Sequence, residues 1–164
     1  MKVKSLLGGR QRLKKLDGAF SMLTGIYQKN VDAKNRIIIP QEFRTELGDE
    51  VYLTYSQNEC VRVYSVENYQ KLLEKIAAKK AEGVIDTTPL QFLFVMSARK
   101  VSFDTMGRVL LSGDMKDWAK LTEEAQVVGN IDHAEIWNPG KYMATMFGFS
   151  AEQTKEAVRA IGEL

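Results

Sequence analysis

The 164-residue chain holds one cysteine, Cys60, and one histidine, His133. A single cysteine excludes an intramolecular disulfide framework and points to a reducing compartment. One cysteine and one histidine are also too few for a protein-built zinc site, which draws on several such ligands. The longest apolar run, Phe92 to Met96, falls far short of the roughly 18 residues that span a bilayer, so no membrane partner is expected. No Ser-His-Asp set, glycine-rich phosphate loop or paired-histidine motif is visible, and the carboxylates are scattered. Enzymatic activity is therefore the class least supported, and neither a cofactor nor a small-molecule substrate is expected. What remains is an ordinary globular composition, 45% apolar and 27% charged, enough for one domain or two small fused ones.

The charge is unevenly placed. Lys2, Lys4, Arg10, Arg12, Lys14 and Lys15 stand against Asp17, so positions 1–21 carry +5 of a chain total of +2 and everything after them carries −3. This basic N-terminal arm reads either as a segment for nucleic acid or an anionic surface, or as a solvated tail or extended start upstream of Met22. A secretory signal is not expected, because Ser5-Leu6-Leu7-Gly8-Gly9 is short and Arg10 interrupts it.

One pattern occurs twice. Val31-Asp32-Ala33-Lys34-Asn35-Arg36-Ile37-Ile38-Ile39 is answered by Phe103-Asp104-Thr105-Met106-Gly107-Arg108-Val109-Leu110-Leu111, with Asp104 in the place of Asp32 and Arg108 in that of Arg36. Val63-Tyr64 is echoed by Ile136-Trp137 at an offset longer by a single position, so one insertion separates the copies. Such repetition means one structural unit used twice. In the first copy, Gly25–Val31 and Arg36–Ile39 read as strands around a polar turn in which Asn35, like Gly107 in the second copy, tolerates a left-handed conformation. Pro40 at the start and Gly48 past the end bracket a short helix over 40–47. Alternation predicts strands at Val51–Tyr55 and Val61–Tyr64, joined by the Ser56–Glu59 turn. Ser65 then caps a helix whose apolar face is Tyr69, Leu72, Leu73, Ile76 and Ala77.

The second copy predicts a helix at Leu90–Met96, strands at Arg99–Phe103 and Arg108–Leu111, a helix at Asp114–Leu121, and strands at Gln126–Gly129 and His133–Trp137. Two terminal helices open at Asn138-Pro139 and at the capping box Ser150 to Gln153. One copy alone has little core and exposed strand edges. Interleaving the two copies relieves both problems and leaves edges for oligomerisation.

A β-turn-β with Asp-x-x-x-Arg, then aliphatics, proline and a short arginine-bearing helix, resembles the swapped-hairpin DNA-binding fold of AbrB-like regulators. The tandem order is similar to the MraZ family: Met22-Leu23-Thr24-Gly25-Ile26-Tyr27, Asp32 to Pro40, Phe43-Arg44 and Leu47, then Phe92-Leu93-Phe94, Ser97-Ala98, Asp104 to Arg108 and Glu135-Ile136-Trp137. The likeness covers roughly residues 22–147. It implies an α+β fold with a mostly β core, in which two tandem units form an interleaved pseudo-two-fold barrel with flanking helices. The units would be 22–80 and 97–164, joined by a linker and helix over 81–96 and preceded by the arm 1–21. It further implies a cytoplasmic, nucleoid-associated bacterial regulator that acts on the promoter of the division and cell-wall gene cluster containing its own gene. Members assemble into ring-like homo-oligomers on double-stranded DNA with repeated boxes. Three positions depart from the family pattern: Asn35 stands for a usual glycine, Ser112 for a proline and Met106 for a polar residue.

On that resemblance, Arg36 and Arg108 are the expected DNA contacts, since arginine binds phosphate or the guanine O6/N7 edge in a forked geometry. Lys29, Lys34, Arg99 and Lys100 would supply charge that positions the backbone rather than reads sequence. Asp32 and Asp104 are expected to be structural, orienting the arginines. The competing reading of each motif is a plain ion pair tying its turn. Arg44 is read as either a helix cap or a phosphate contact, with Lys116 its counterpart. Cys60 and His133 are expected to be packing residues, and Phe43, Tyr64, Trp118 and Trp137 core or interface aromatics. The second functional class is an oligomeric scaffold, similar to AbrB-type antitoxins, with weak non-specific DNA binding, which the mildly acidic remainder favours.

Overall fold

The structure is a computed structural model that describes residues 22–162. The basic arm lies outside the described residues. Each copy forms the same series of elements. The first contains β1 (Ile26–Asn30), β2 (Arg36–Ile38), α1 (Gln41–Leu47), β3 (Glu50–Thr54) and β4 (Val61–Ser65), followed by the long helix α2 (Val66–Glu82). A connecting stretch carries α3 (Thr88–Gln91) and a π-helical turn, Phe92–Met96. The second copy contains β5 (Arg99–Ser102), β6 (Arg108–Leu110), α4 (Gly113–Trp118), β7 (Glu124–Gly129) and β8 (Ala134–Trp137), then α5 (Pro139–Met146) and α6 (Ala151–Ala160).

The punctuation residues act where their chemistry requires. The Ser65 hydroxyl accepts from the Asn68 N–H at 3.1 Å and opens α2, which Gly83 closes at φ 69°. Asn138 caps α5, and Ser150 with Gln153 forms a reciprocal capping box on α6. Pro40 sits one position before α1 rather than inside it. The helix expected over Leu90–Met96 is instead a short α-helix followed by the π-helical turn. In this turn the Ser97 and Tyr69 hydroxyls donate to the carbonyls of Leu93 and Phe94. Helix α2 packs through a narrower stripe than its spacing suggests: Tyr69 and Ile76 are buried, Leu72 and Leu73 half-buried, and Ala77 exposed.

The strands form a six-stranded antiparallel sheet in the order β1-β7-β8-β4-β3-β5, with β2 and β6 pairing as a separate ribbon. Among the strands of the described residues, only the hairpins β3-β4 and β7-β8 pair within a copy, beside an isolated bridge of Val31 with Ile37. The remaining pairings, β1 with β7, β3 with β5, β4 with β8 and β2 with β6, all cross between copies. Exchanging the copies reverses the sheet order and leaves it unchanged. The core is correspondingly shared. Ile37, Ile39, Val51, Leu53, Val61 and Val63 of the first copy pack with Val109, Leu111, Met115, Val127 and Ile136 of the second. At ~1.5–3 kcal/mol for each fully buried aliphatic side chain, neither copy could assemble a comparable core alone.

A smaller cluster of Cys60, Val128 and Trp137 lies under Tyr142 and Met146 of α5. Burial pushes the Cys60 thiol up to about 12, so it stays protonated. Beside it, His133 bridges Asp132 (2.7 Å) and the buried Glu135 (2.8 Å). Burial alone would raise Glu135, but hydrogen bonds from His133, Trp137 and Asn130 hold it down to about 2. Both Cys60 and His133 are therefore built into the packing. Phe43, Tyr64 and Trp137 are buried, whereas Trp118 is half-buried and stacks on Tyr55 at 4.5 Å. Among the described residues, no cluster of His, Cys, Asp and Glu could hold a metal ion, and no helix is long and apolar enough to cross a membrane.

Adjacent residues of β2 face opposite environments: Ile37 is fully buried and Ile38 is 38% exposed. Urea denaturation should show Ile37→Ala losing ~2–5 kcal/mol of stability and Ile38→Ala within ~0.5 kcal/mol of the parent. Equal losses would contradict this placement of the ribbon.

Candidate nucleic-acid interface

The site is built from the two turns that precede β2 and β6. In the first, the Asp32 carboxylate accepts from the backbone N–H groups of Lys34 and Arg36, each at 2.9 Å, while Asn35 N–H donates to the Asp32 carbonyl at 3.0 Å. This is an aspartate-closed turn, in which a short side chain replaces backbone partners. The chain leaves it through Asn35 at φ 62°. The second turn repeats the arrangement: Asp104 accepts from Met106 and Arg108, each at 2.9 Å, and Gly107 has φ 78°. The second oxygen of each aspartate takes the arginine Nε–H, at 2.8 Å for Arg36 and 2.7 Å for Arg108. Each clasp thus uses Nε–H and leaves the forked Nη groups to other partners.

The pairing of β2 with β6 brings the motifs together. Arg36 lies opposite Leu110 and Ile38 opposite Arg108, with Ile37 opposite Val109 between them. Strand alternation sends Ile37 and Val109 into the core and places Arg36, Ile38, Arg108 and Leu110 on the other face. The two arginines therefore share one ribbon, and Nη1 of Arg108 comes within 3.8 Å of the Asp32 carboxylate of the other copy. Their side chains are 29% and 27% exposed. Leu110 is 57% exposed, an apolar neighbour that local pattern reading did not single out.

Each turn is also held by the opposite copy. The Ile39 N–H donates to the Gly107 carbonyl at 3.0 Å and the Leu111 N–H to the Asn35 carbonyl at 2.8 Å. Lys116 Nζ donates to Asn35 Oδ1 at 2.8 Å. Arg44 donates from Nε to the Ile39 carbonyl at 2.9 Å, and its guanidinium lies against Gly107. Arg44 thus meets the second turn rather than capping its own helix, whose end is closed by Gly48 N–H on the Arg44 carbonyl. The signal for these contacts was the repeat: Arg44 and Lys116 hold equivalent places in the two copies, as do Asn35 and Gly107.

The other basic residues are placed differently. Lys34 is exposed at the first turn, where the second turn carries Met106, also exposed. Lys29 is half-buried on β1, opposite Ala125. Arg99 and Lys100 lie on β5 and face carboxylates: Arg99 is 3.7 Å from Asp114 and Lys100 is 3.6 Å from Glu50. Both pairs are half-exposed, so they moderate the local positive charge without fixing the side chains firmly.

Comparison with known proteins gives a consistent result. The family described as "MraZ protein, putative antitoxin-like" matches residues 22–88. A protein named transcriptional regulator MraZ from Halothermothrix orenii is 31% identical over 142 residues, covering 87% of this chain and 97% of that protein. Its namesake from Lactobacillus johnsonii is 35% identical over 121 residues, covering 74% and 84%. That from Acetivibrio thermocellus is 30% identical over 143 residues, covering 86% and 99%.

Both clasp carboxylates sit below the ordinary aspartate value of 3.8, chiefly because the Arg36 and Arg108 backbone N–H groups bond the ionised form. A depressed folded-state value stabilises above the unfolded carboxylate range and is lost as pH falls through the folded value. An acid titration followed by carboxyl carbon chemical shifts should therefore show Asp32 and Asp104 protonating below 3.8. Asp104→Asn should speed amide exchange at Met106 and Arg108 but not at Lys34 and Arg36. Titration at or above the ordinary value would contradict the clasp.

Proposed function

The chain belongs to the MraZ family, and from that premise we propose that it is a DNA-binding transcriptional regulator that reads DNA with the β2-β6 ribbon. The family is one of transcriptional regulators rather than enzymes. The observation that carries the reading is the convergence of Arg36 and Arg108 on one face of the ribbon, each hydrogen-bonded to its own turn's aspartate through Nε. A forked guanidinium held at its root suits a guanine edge or a phosphate. Lys34 and Lys29 add backbone-positioning charge beside the first turn, and Arg99 and Lys100 do so at the flank, competing with Asp114 and Glu50. Asp32 and Asp104 orient the arginines.

The proposal extends to architecture and setting. The cross-copy strand pairing supports two swapped-hairpin units, 22–80 and 97–164, closed into a pseudo-two-fold barrel, with 81–96 as the connection. Among the described residues, strands β1 and β5 end the sheet with one side unpaired, which supports assembly of further copies into a ring. A ring presenting many ribbons would gain strength on repeated DNA boxes through effective concentration. The target proposed is the promoter of the division and cell-wall gene cluster that includes its own gene, in a cytoplasmic, nucleoid-associated setting. The arm 1–21 would add sequence-independent attraction. The second reading, a scaffold with weak DNA binding, is favoured by the net −3 of the chain beyond that arm.

Arg36→Ala and Arg108→Ala should each weaken binding to DNA from upstream of the chain's own gene by ~1–3 kcal/mol. Light scattering should find the oligomer unchanged. Loss of the oligomer with binding spared would overturn the assignment and advance the scaffold reading.

A further inference from the structure

We infer that Arg44 and Lys116 are positioning residues that set, each in the opposite copy, the pose of the turn presenting Arg108 and Arg36, and that each is matched to the residue it meets there. The inference rests on the ribbon being the DNA-reading surface.

Both turns pass through a left-handed residue, Asn35 at φ 62° and Gly107 at φ 78°. Asparagine is among the side chains that adopt this conformation most readily. Asn35 shows that such a turn accepts asparagine at a left-handed φ, so at position 107 the added cost is steric. A Cβ on Gly107 would lie 2.6 Å from both Nε and Nη1 of Arg44. That guanidinium is not free to retreat without loss, because its Nε holds the Ile39 carbonyl and the Ile39 N–H holds the Gly107 carbonyl. The three groups form a closed circuit between copies. At the equivalent place in the first turn, lysine replaces arginine. Its slender ammonium leaves room for a side chain and uses it, bonding Asn35 Oδ1 at 2.8 Å. Arginine with glycine and lysine with asparagine are thus two solutions to one packing problem. The residue that follows each brace contact is the arginine itself, so displacement of the turn displaces the guanidinium.

The test is a rescue. Gly107→Asn should collide with Arg44 and weaken binding to the upstream duplex by ~10-fold or more, whereas Arg44→Lys/Gly107→Asn, which recreates the first turn's pair, should return to within ~3-fold of the parent. The reciprocal set guards against misfolding of the first: Lys116→Arg should weaken binding, and Asn35→Gly/Lys116→Arg should restore it. The Arg108 Nε–H resonance, which reports its bond to Asp104, should shift in Gly107→Asn and return in the double variant with no DNA present. Arg44→Ala should lower affinity while leaving the slope against log salt unchanged, whereas a slope smaller by about one would make Arg44 a phosphate contact and overturn the inference. Parent-like binding by Gly107→Asn and Lys116→Arg, or doubles no better than singles at equal melting temperature, would also overturn it. If the parent shows no preference for the upstream over a scrambled duplex, the DNA reading fails instead, and the resonance judges the brace by itself.

Discussion

The three-residue ladder between β2 and β6 is the contact on which the rest depends. Its inner face, Ile37 and Val109, is fully buried and joins the two halves of the core. Its outer face carries both arginines. Because side chains alternate with period two, a slip of one residue would send the arginines inward and the aliphatics to solvent. Burial of the inner face therefore fixes the register, and the same register places the arginines. One ladder thus specifies both the burial of the aliphatics and the placement of the arginines. The clasped turns and the two cross-copy N–H contacts of Ile39 and Leu111 extend so short a pairing at both ends.

Much of each copy was legible because its signals are local. The Asp-x-x-x-Arg turns, the left-handed positions at Asn35 and Gly107, and the caps at Ser65, Asn138 and Ser150 all depend on residues within a few positions of one another. The repeat made interleaving a physical expectation, since one copy could neither bury its aliphatics nor protect its edges. Which strand meets which was not legible, because β1 with β7 or β4 with β8 is decided by shape between segments far apart in the chain. The π-helical turn carries a similar non-local contact, since the Tyr69 hydroxyl that donates to the Phe94 carbonyl reaches it only in the folded chain. Arg44 read as a cap or a phosphate ligand because its neighbour Gly107 lies in the other copy. Arg99 and Lys100 read simply as backbone-positioning charge because Asp114 and Glu50 reach them only through the sheet.

Electrostatics explains why global charge is a poor guide here. The part of the chain beyond the basic arm is net acidic, yet the acids near the ribbon are occupied with backbone N–H groups and with the arginines, Nε of each in its own clasp and Nη1 of Arg108 near Asp32. A ligand approaching the ribbon meets the local field, not the sum. The two turns still differ, with Lys34 exposed on one and Met106 on the other. One chain thus offers two related but unequal surfaces.

The most direct measurement is a binding titration of the full chain against duplex DNA from upstream of its own gene, beside a scrambled duplex, at two salt concentrations. Sequence reading by the paired arginines predicts tight binding to the upstream duplex, a clear preference over the scrambled one, and a modest salt slope. Equal binding to both duplexes, collapsing together as salt rises, would contradict it and leave the basic arm as the source of attraction.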